Sequence, residues 1–325
     1  MKKINMKPFR EFWQDCFNCI VYSLIDYTQD VPMLYYYNNM YTYIETEETT
    51  NKNKKKYKSV TPWTDNLMLL NKITKNKKEL HLNKEPETIE FIKKQVDADN
   101  VIILAIDLFY WIDEGLHYLR NHIVHFSMVI GYDDETRELI VLETGNDKYA
   151  EFRVPYERAM QAFAASDYLA ITFEIDDSAK IEMFNKQEVS YYASNVVASI
   201  EDKFNREKEI LQIEGFDEEE LTEVLDIIQT HMFSMQNRAN INAYMFENAF
   251  KADVVDEVSL HEEFYKLGVK FEKLKGACIM AKCRKGKGLS IENIKKRIFD
   301  NLKREQYLWE LYINNQEMFE MHEDF

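Results

Sequence analysis

Across residues 187–325 one amphipathic helical pattern follows another with no proline to interrupt it, over 191–212, 218–250, 257–283 and 290–318. This stretch restricts the second part of the chain to packed helices. Asp217 reads as a helix N-cap, and Glu220 three residues on completes a capping box. Ser290 reads as the cap of the last helix, and the loop 284–288 separates it from the helix before. No internal repeat of fixed period is present.

Ahead of Asp176 and Asp177 the pattern is different. Residues 16–28 form one apolar helical face from Phe17, Ile20, Val21, Leu24 and Ile25. Residues 34–43 carry mostly large apolar or aromatic side chains and read as a strand or an irregular core segment. Residues 46–59 are polar and lysine-rich, which suggests a surface loop. A short helical pattern precedes the basic cluster of Lys75, Lys77 and Lys78, and 87–96 reads as a helix. Residues 101–110 are almost continuously apolar and read as a buried strand. Residues 125–131 and 137–143 form a hairpin across 132–136, whose acidic and small polar residues suit a turn. Strands at 149–154 and 170–175 flank a helix at 155–165. The expectation is an α+β domain over residues 1–178, followed by a helical domain over 179–325.

Bulk composition narrows the function. Hydrophobic residues make up 46% of the chain, enough to bury a sizeable core. The net charge of −16, from 41 Lys+Arg against 57 Asp+Glu, argues against a nucleic-acid binder, which needs a basic excess to neutralise phosphates. The four cysteines, Cys16, Cys19, Cys278 and Cys283, do not suggest a disulfide framework. The first 14 residues carry Lys2, Lys3, Lys7 and Arg10 but no apolar run, so they do not resemble a signal peptide. The most apolar run, 101–111, is too short to span a bilayer. A cytoplasmic protein, with neither membrane nor nucleic acid as partner, is the expectation.

Cys16 opens an amphipathic helix directly after Asp15. The partial positive charge at a helix N-terminus favours a thiolate, which is the reactive form of cysteine. A buried structural thiol is the plain alternative. A thiolate nucleophile needs a base, and the base needs an orienting group. A five-residue loop centred on Asp134 would put His125 directly opposite Glu143 on adjacent strands, with both side chains on one face. Phe126, Met128, Ile130, Ile140 and Leu142 would then form an apolar opposite face. Asn146 and Asp147 are reserve candidates for the orienting role. His117 and His122 lie on the approach to this strand, whereas His231 and His261 fall in helical stretches and read as structural.

Several segments together resemble a known family. They are Cys16-Phe-Asn-Cys-Ile-Val-Tyr-Ser-Leu24, Asp107-Leu-Phe-Tyr110, His117-Tyr118 with His122, and His125-Phe-Ser-Met-Val-Ile-Gly-Tyr-Asp133. A later part, Lys148-Tyr149 through Val154-Pro-Tyr156 to Ala162-Phe163, extends the likeness. The family is that of the butirosin-biosynthesis protein H N-terminal domain, and the resemblance covers roughly residues 14–175. It implies a papain-like fold, similar to that of C39 and papain-like cysteine peptidases, followed by a less defined helical part.

It also implies acyl transfer in specialised-metabolite biosynthesis. Cys16 would take an acyl group from a carrier-protein thioester, His125 would be the base that deprotonates an incoming amine, and Glu143 the orienting acid. The family more often carries Asp at this last position, and Glu143 is one methylene longer. Backbone N–H groups at Cys16 or Phe17 would form the oxyanion hole.

The implied partners are an acyl or peptidyl carrier protein, bearing the phosphopantetheine thioester as substrate, and a small amine. No cofactor is implied. Carrier proteins are usually acidic, so Lys52–58, Lys75–78 and Lys282–287 are candidate docking clusters. The helical domain offers surface for a homodimer. Three rival readings remain: a cysteine peptidase or amidase with the same triad, a non-catalytic interaction protein on this scaffold, and a zinc site made by the pairs Cys16/Cys19 and Cys278/Cys283.

Overall fold

The computed structural model describes residues 1–11, 13–28, 39–64, 68–82, 87–145, 149–176, 186–206, 210–211, 215–248, 254–255, 258–284 and 291–320. In chain order the elements are β1 (Lys2–Lys3), α1 (Cys16–Thr28), β2 (Thr42–Thr49), β3 (Lys56–Trp63), α2 (Met68–Ile73), β4 (Thr74–His81), α3 (Glu87–Asp97) and β5 (Val101–Asp107). Then come β6 (Val124–Asp133), β7 (Glu138–Thr144), β8 (Tyr149–Pro155), α4 (Tyr156–Ala164), β9 (Leu169–Ile175) and α5 (Lys186–Asn205). The last are α6 (Glu218–Asn248), β10 (Val254–Val255), β11 (Val258–Ser259), α7 (Leu260–Cys283) and α8 (Ile291–Glu320). The class is α+β, with antiparallel sheets.

The chain divides into two compact units, Met1–Asn38 with Asn66–Glu182, and Asn39–Asp65 with Met183–Phe325. The expected division near residue 178 falls close to the second junction. Residues 39–65, however, lie with the helices, although the sequence suggested a single cut.

The first unit is built on a sheet in the order β4-β9-β5-β6-β7-β8. β5 is buried along its whole length, as its continuous apolar run requires when both faces of a strand are covered. β6 is longer than β5, and β1 pairs with its far end through Lys2↔Tyr132 and Lys3↔Gly131. α1 packs on β6 and β7, and α4 on β5, β7 and β8. Residues 18–25 of α1 are all buried, more than the single apolar face expected. The polar ones are satisfied locally: Ser23 Oγ donates to the Cys19 carbonyl at 2.9 Å and accepts from the Phe9 N–H at 3.0 Å. The basic cluster at 75–78 lies in β4, an edge strand whose register shifts between Lys75 and Lys78.

In the second unit, only 50–55 of the expected surface loop 46–59 are a loop. The others belong to the β2–β3 hairpin, paired from Thr42↔Trp63 to Thr49↔Lys56. Their polar composition conceals a strand because its charges pair across the ladder. Lys58 meets Glu45 at 2.8 Å and Lys56 meets Glu47 at 2.6 Å, each a diagonal contact. Of the segment 34–43, expected as a strand or core segment, residues 34–38 lie outside the described residues; in the other half β2 starts at Thr42, and Tyr41 and Tyr43 are buried.

The four expected helices are α5 to α8. Asp217 caps α6 as anticipated, its Oδ1 accepting from the N–H groups of Glu219 and Glu220 at 3.0 Å each, while Glu220 Oε2 accepts from the Asp217 N–H at 2.8 Å. Ser290 lies outside the described residues. Glu305 of α8 is buried and accepts from the hydroxyls of Tyr41 and, at 2.6 Å, Tyr43. Burial outweighs those bonds and raises the Glu305 pKa to about 6.

The close approach of β1 to β6 depends on Gly131. A Cβ there would come within 2.7 Å of the Lys2 carbonyl oxygen, and relief requires a backbone shift. Gly131→Ala is therefore expected to cost ~1–3 kcal/mol, the usual cost of forcing extra volume into a packed site, measured as a lower urea midpoint.

Candidate active site

Cys16 is the first residue of α1, and Asp15 before it is the cap. Asp15 Oδ1 accepts from the Asn18 N–H at 2.8 Å, and its Oδ2 from Asn18 Nδ2 at 2.5 Å. The backbone carbonyl of Asp15 accepts from the Cys19 N–H at 2.9 Å. The N–H groups of Cys16 and Phe17, in the first turn, have no partner within the helix. The Cys16 thiol is partly exposed, and Thr144 Oγ1 donates to its sulfur at 3.8 Å. Cys19, one turn on, is buried, and burial pushes its thiol far up, so it stays protonated. The position of Cys16 follows from the local sequence: a capping acid followed by an apolar helical face fixes where the helix begins.

His125 lies on β6 and Glu143 on β7, and His125 Nε2 meets Glu143 Oε1 at 3.1 Å. The pairing was anticipated, but the register was not. The loop is 134–137, closed by the pair Asp133↔Glu138, and Arg137 takes a positive φ of 56°. The register runs through Gly131↔Ile140, skips Ile130, and resumes at Val129↔Val141 and Met128↔Leu142. Continued one step, it sets Ser127, not His125, opposite Glu143. His125 is the diagonal neighbour, two residues along on the same face.

Ile130 is a β-bulge, one extra residue in β6. Because side chains alternate along a strand, the register near the loop would have put His125 and Glu143 on opposite faces. The extra residue restores the parity. The diagonal also gives the additional methylene of Glu143 a reason, since diagonal neighbours are ~7–8 Å apart and only long side chains reach across.

Glu143 is 1% exposed, and both of its oxygens are occupied. Oε1 accepts from His125 and from the Thr144 N–H at 2.7 Å, and Oε2 accepts from Trp111 Nε1 at 3.1 Å. The same indole N–H reaches Ser127 Oγ at 3.0 Å. Sequence reasoning did not single out Trp111 or Thr144 for this role. A sequence signal for Trp111 did exist: a Trp close to a fully apolar strand must find an acceptor for its buried N–H.

With Nε2 committed to Glu143, Nδ1 remains for Cys16. Burial would lower the His125 pKa, but the Glu143 carboxylate and a hydrogen bond shared with Cys16 outweigh it. The imidazole is pushed up to about 10. It is therefore an imidazolium at neutral pH, beside a sulfur at a helix N-terminus.

Of the other sequence candidates, Asn146 and Asp147 lie outside the described residues. His117 is on the surface, its Nδ1 3.3 Å from Asn121 Nδ2. His122 bonds to Asp107. His231 meets Ser59 Oγ at 2.9 Å, and burial lowers its pKa to about 4. Among the described residues no group of three or more His, Cys, Asp or Glu is arranged to hold a metal ion. No helix among them is long and apolar enough to cross a membrane. No protein-family model matches the chain, and no curated protein matches it.

Two outcomes are expected. His125 has a folded pKa near 10 against an ordinary 6.5, so its stabilisation is complete below pH 6.5 and is lost as pH rises toward 10. Urea unfolding across that range should show a declining limb for the wild type and a flatter one for His125→Gln. Glu143→Asp, too short for the diagonal, should slow alkylation of Cys16 by iodoacetamide at pH 7 as much as Glu143→Gln does, by roughly tenfold or more if the imidazolium is responsible for the thiolate. Equal rates in Glu143→Asp and the wild type would contradict the diagonal geometry.

Proposed function

We propose that the protein is a cysteine acyltransferase on a papain-like scaffold, which takes an acyl group from a thioester onto Cys16 and passes it to an amine. The observation that carries this reading is the unbroken series of contacts from Trp111 and Glu143 through His125 to Cys16. A nucleophile on a helix N-terminus, against a sheet that supplies base and orienting acid, is the arrangement expected of that scaffold.

The first half-reaction follows from the charges. The Cys16 thiolate attacks the thioester carbonyl, and the developing oxyanion turns toward the N–H groups of Cys16 and Phe17. One C–S bond forms and another breaks, so the exchange is nearly balanced in energy. The leaving thiol, with an ordinary pKa of about 8.5, departs as thiolate and leaves the His125 imidazolium its proton.

Transfer rather than hydrolysis is favoured by the resemblance to the butirosin-biosynthesis protein H N-terminal family.

An acidic carrier protein as donor would need exposed cations. Lys52, Lys55, Lys56 and Lys58 are engaged by Glu219, Glu220, Glu47 and Glu45 within their own unit, and Lys282 by Asp226. Lys285 and Lys287 lie outside the described residues. Among the described residues of these clusters, Lys54, Arg284 and, on the exposed strand β4, Lys77 and Lys78 are the remaining candidates.

Intact-mass spectrometry after incubation with an acyl thioester tests the reading. An acyl adduct is expected on the wild type and none on Cys16→Ala, with amide appearing when a small amine is added. An adduct surviving in Cys16→Ala would refute Cys16 as acyl carrier. Free acid released at the same rate with and without amine would replace transfer by hydrolysis.

A further inference from the structure

A second thiol lies one helical turn from Cys16. Cys16 is the first residue of α1 and Cys19 the fourth. Both are free thiols, Cys16 partly exposed and Cys19 0% exposed. An oxidant arriving from solvent therefore meets Cys16 first.

The helix sets the separation of the two. Positions i and i+3 lie on one side of a helix, and its rise and radius put their Cα atoms ~5 Å apart. Disulfides bridge Cα atoms ~4.4–6.8 Å apart. The Cβ atoms, ~5–6 Å apart in a regular helix, must close to ~3.5–4.5 Å. The first turn can supply that movement, because the Cys16 N–H has no partner within the helix and Cys16 can pivot without breaking a ladder bond of its own N–H. The other two cysteines show the contrast. Cys278 and Cys283 both lie on α7. Five residues apart, they sit on different sides of the helix with Cα atoms ~8–9 Å apart, beyond bridging distance.

The buried sulfur points toward the first turn. Helical side chains tilt toward the N-terminus of their helix. Burial is the main cause of the raised Cys19 pKa, and a hydrogen bond from the Gln14 backbone opposes it. Gln14 precedes Cys16 in the chain, so the bond holds the Cys19 sulfur back along the turn that Cys16 begins. The charges of Cys16, Asp15 and Glu143 also act on it.

We infer that Cys16 and Cys19 form a dithiol–disulfide site, closed by a peroxide and reopened by a thiol reductant, whose closed form withdraws the nucleophile; this last part rests on Cys16 being the acyl carrier. The Cys16 thiolate attacks an oxygen of hydrogen peroxide. An S–O bond forms, the O–O bond breaks and hydroxide leaves, so the sulfur is oxidised to a sulfenic acid and the peroxide is reduced. The Cys19 sulfur then attacks the Cys16 sulfur. An S–S bond forms, the S–O bond breaks, and the hydroxyl leaves as water with the proton of the Cys19 thiol. A dithiol reductant attacks the exposed Cys16 sulfur, ends as its own disulfide and returns two electrons to the pair. Closure protects Cys16 from further oxidation to sulfinic acid, which thiols do not reverse.

Thiol counting tests the site. The full-length protein is treated with a small excess of hydrogen peroxide at neutral pH and denatured in N-ethylmaleimide. Reduced protein takes up four labels, one per cysteine. Oxidised protein should lose two of them and keep those on Cys278 and Cys283, located by peptide mass, and dithiothreitol should restore all four. Loading of Cys16 from an acyl N-acetylcysteamine thioester should disappear and return with the labels. Reduced Cys19→Ala should load at the wild-type rate. Under peroxide its Cys16 should advance to sulfinic and sulfonic acid, and dithiothreitol should no longer restore loading. Sulfinic acid at Cys16 of the wild type with Cys19 still labelled would overturn the pair and leave the acyl-carrier reading standing. Four labels after peroxide, or labels lost from Cys278 or Cys283 instead, would overturn it as well. A wild type that closes the bridge but takes no acyl group when reduced would remove the acyl-carrier reading and keep the dithiol site. The label map of the wild type decides the matter even where Cys19→Ala does not fold.

Discussion

The buried carboxylate of Glu143 is the constraint around which the first unit is organised. A carboxylate in a sheet interior is tolerated only when donors surround it, because an unpaired buried charge costs several kcal/mol. Here the donors come from three places: the indole of Trp111, the backbone N–H of Thr144 and the imidazole of His125. Each is fixed by something else. Trp111 sits in the turn that follows β5, Thr144 is the next residue of the same strand, and His125 is carried by β6. The demand for three donors thus ties β5, β6 and β7 together at the end of the sheet where Cys16 begins its helix. The same carboxylate raises the pKa of His125.

The bulge at Ile130 makes that meeting possible. β6 and β7 leave their shared loop in a register that would direct His125 and Glu143 to opposite faces. One extra residue reverses the parity and brings them together. The price is a pair that meets diagonally instead of squarely, and a glutamate spans the diagonal where an aspartate would fall short.

Two histidine–carboxylate pairs at one end of the sheet have opposite properties. His125 is nearly enclosed and bound to a buried acid, which keeps it charged. His122 is exposed, with Asp107 holding one nitrogen and the other open.

What the sequence by itself determined is local. Proline-free periodicity yielded the helices of the second unit, Asp217 and Glu220 marked a helix start, and Asp15 followed by an apolar face placed Cys16 at another. His125 and Glu143 could be assigned to neighbouring strands from the hairpin pattern alone. The polar hairpin of β2 and β3 escaped notice because its stabilising charge pairs form only once the strands are side by side. Register, bulge, the donors to Glu143 and the union of His122 with Asp107 were decided by the tertiary structure. Periodicity is written into neighbouring residues, whereas a register or a buried hydrogen bond depends on which distant segments pack together.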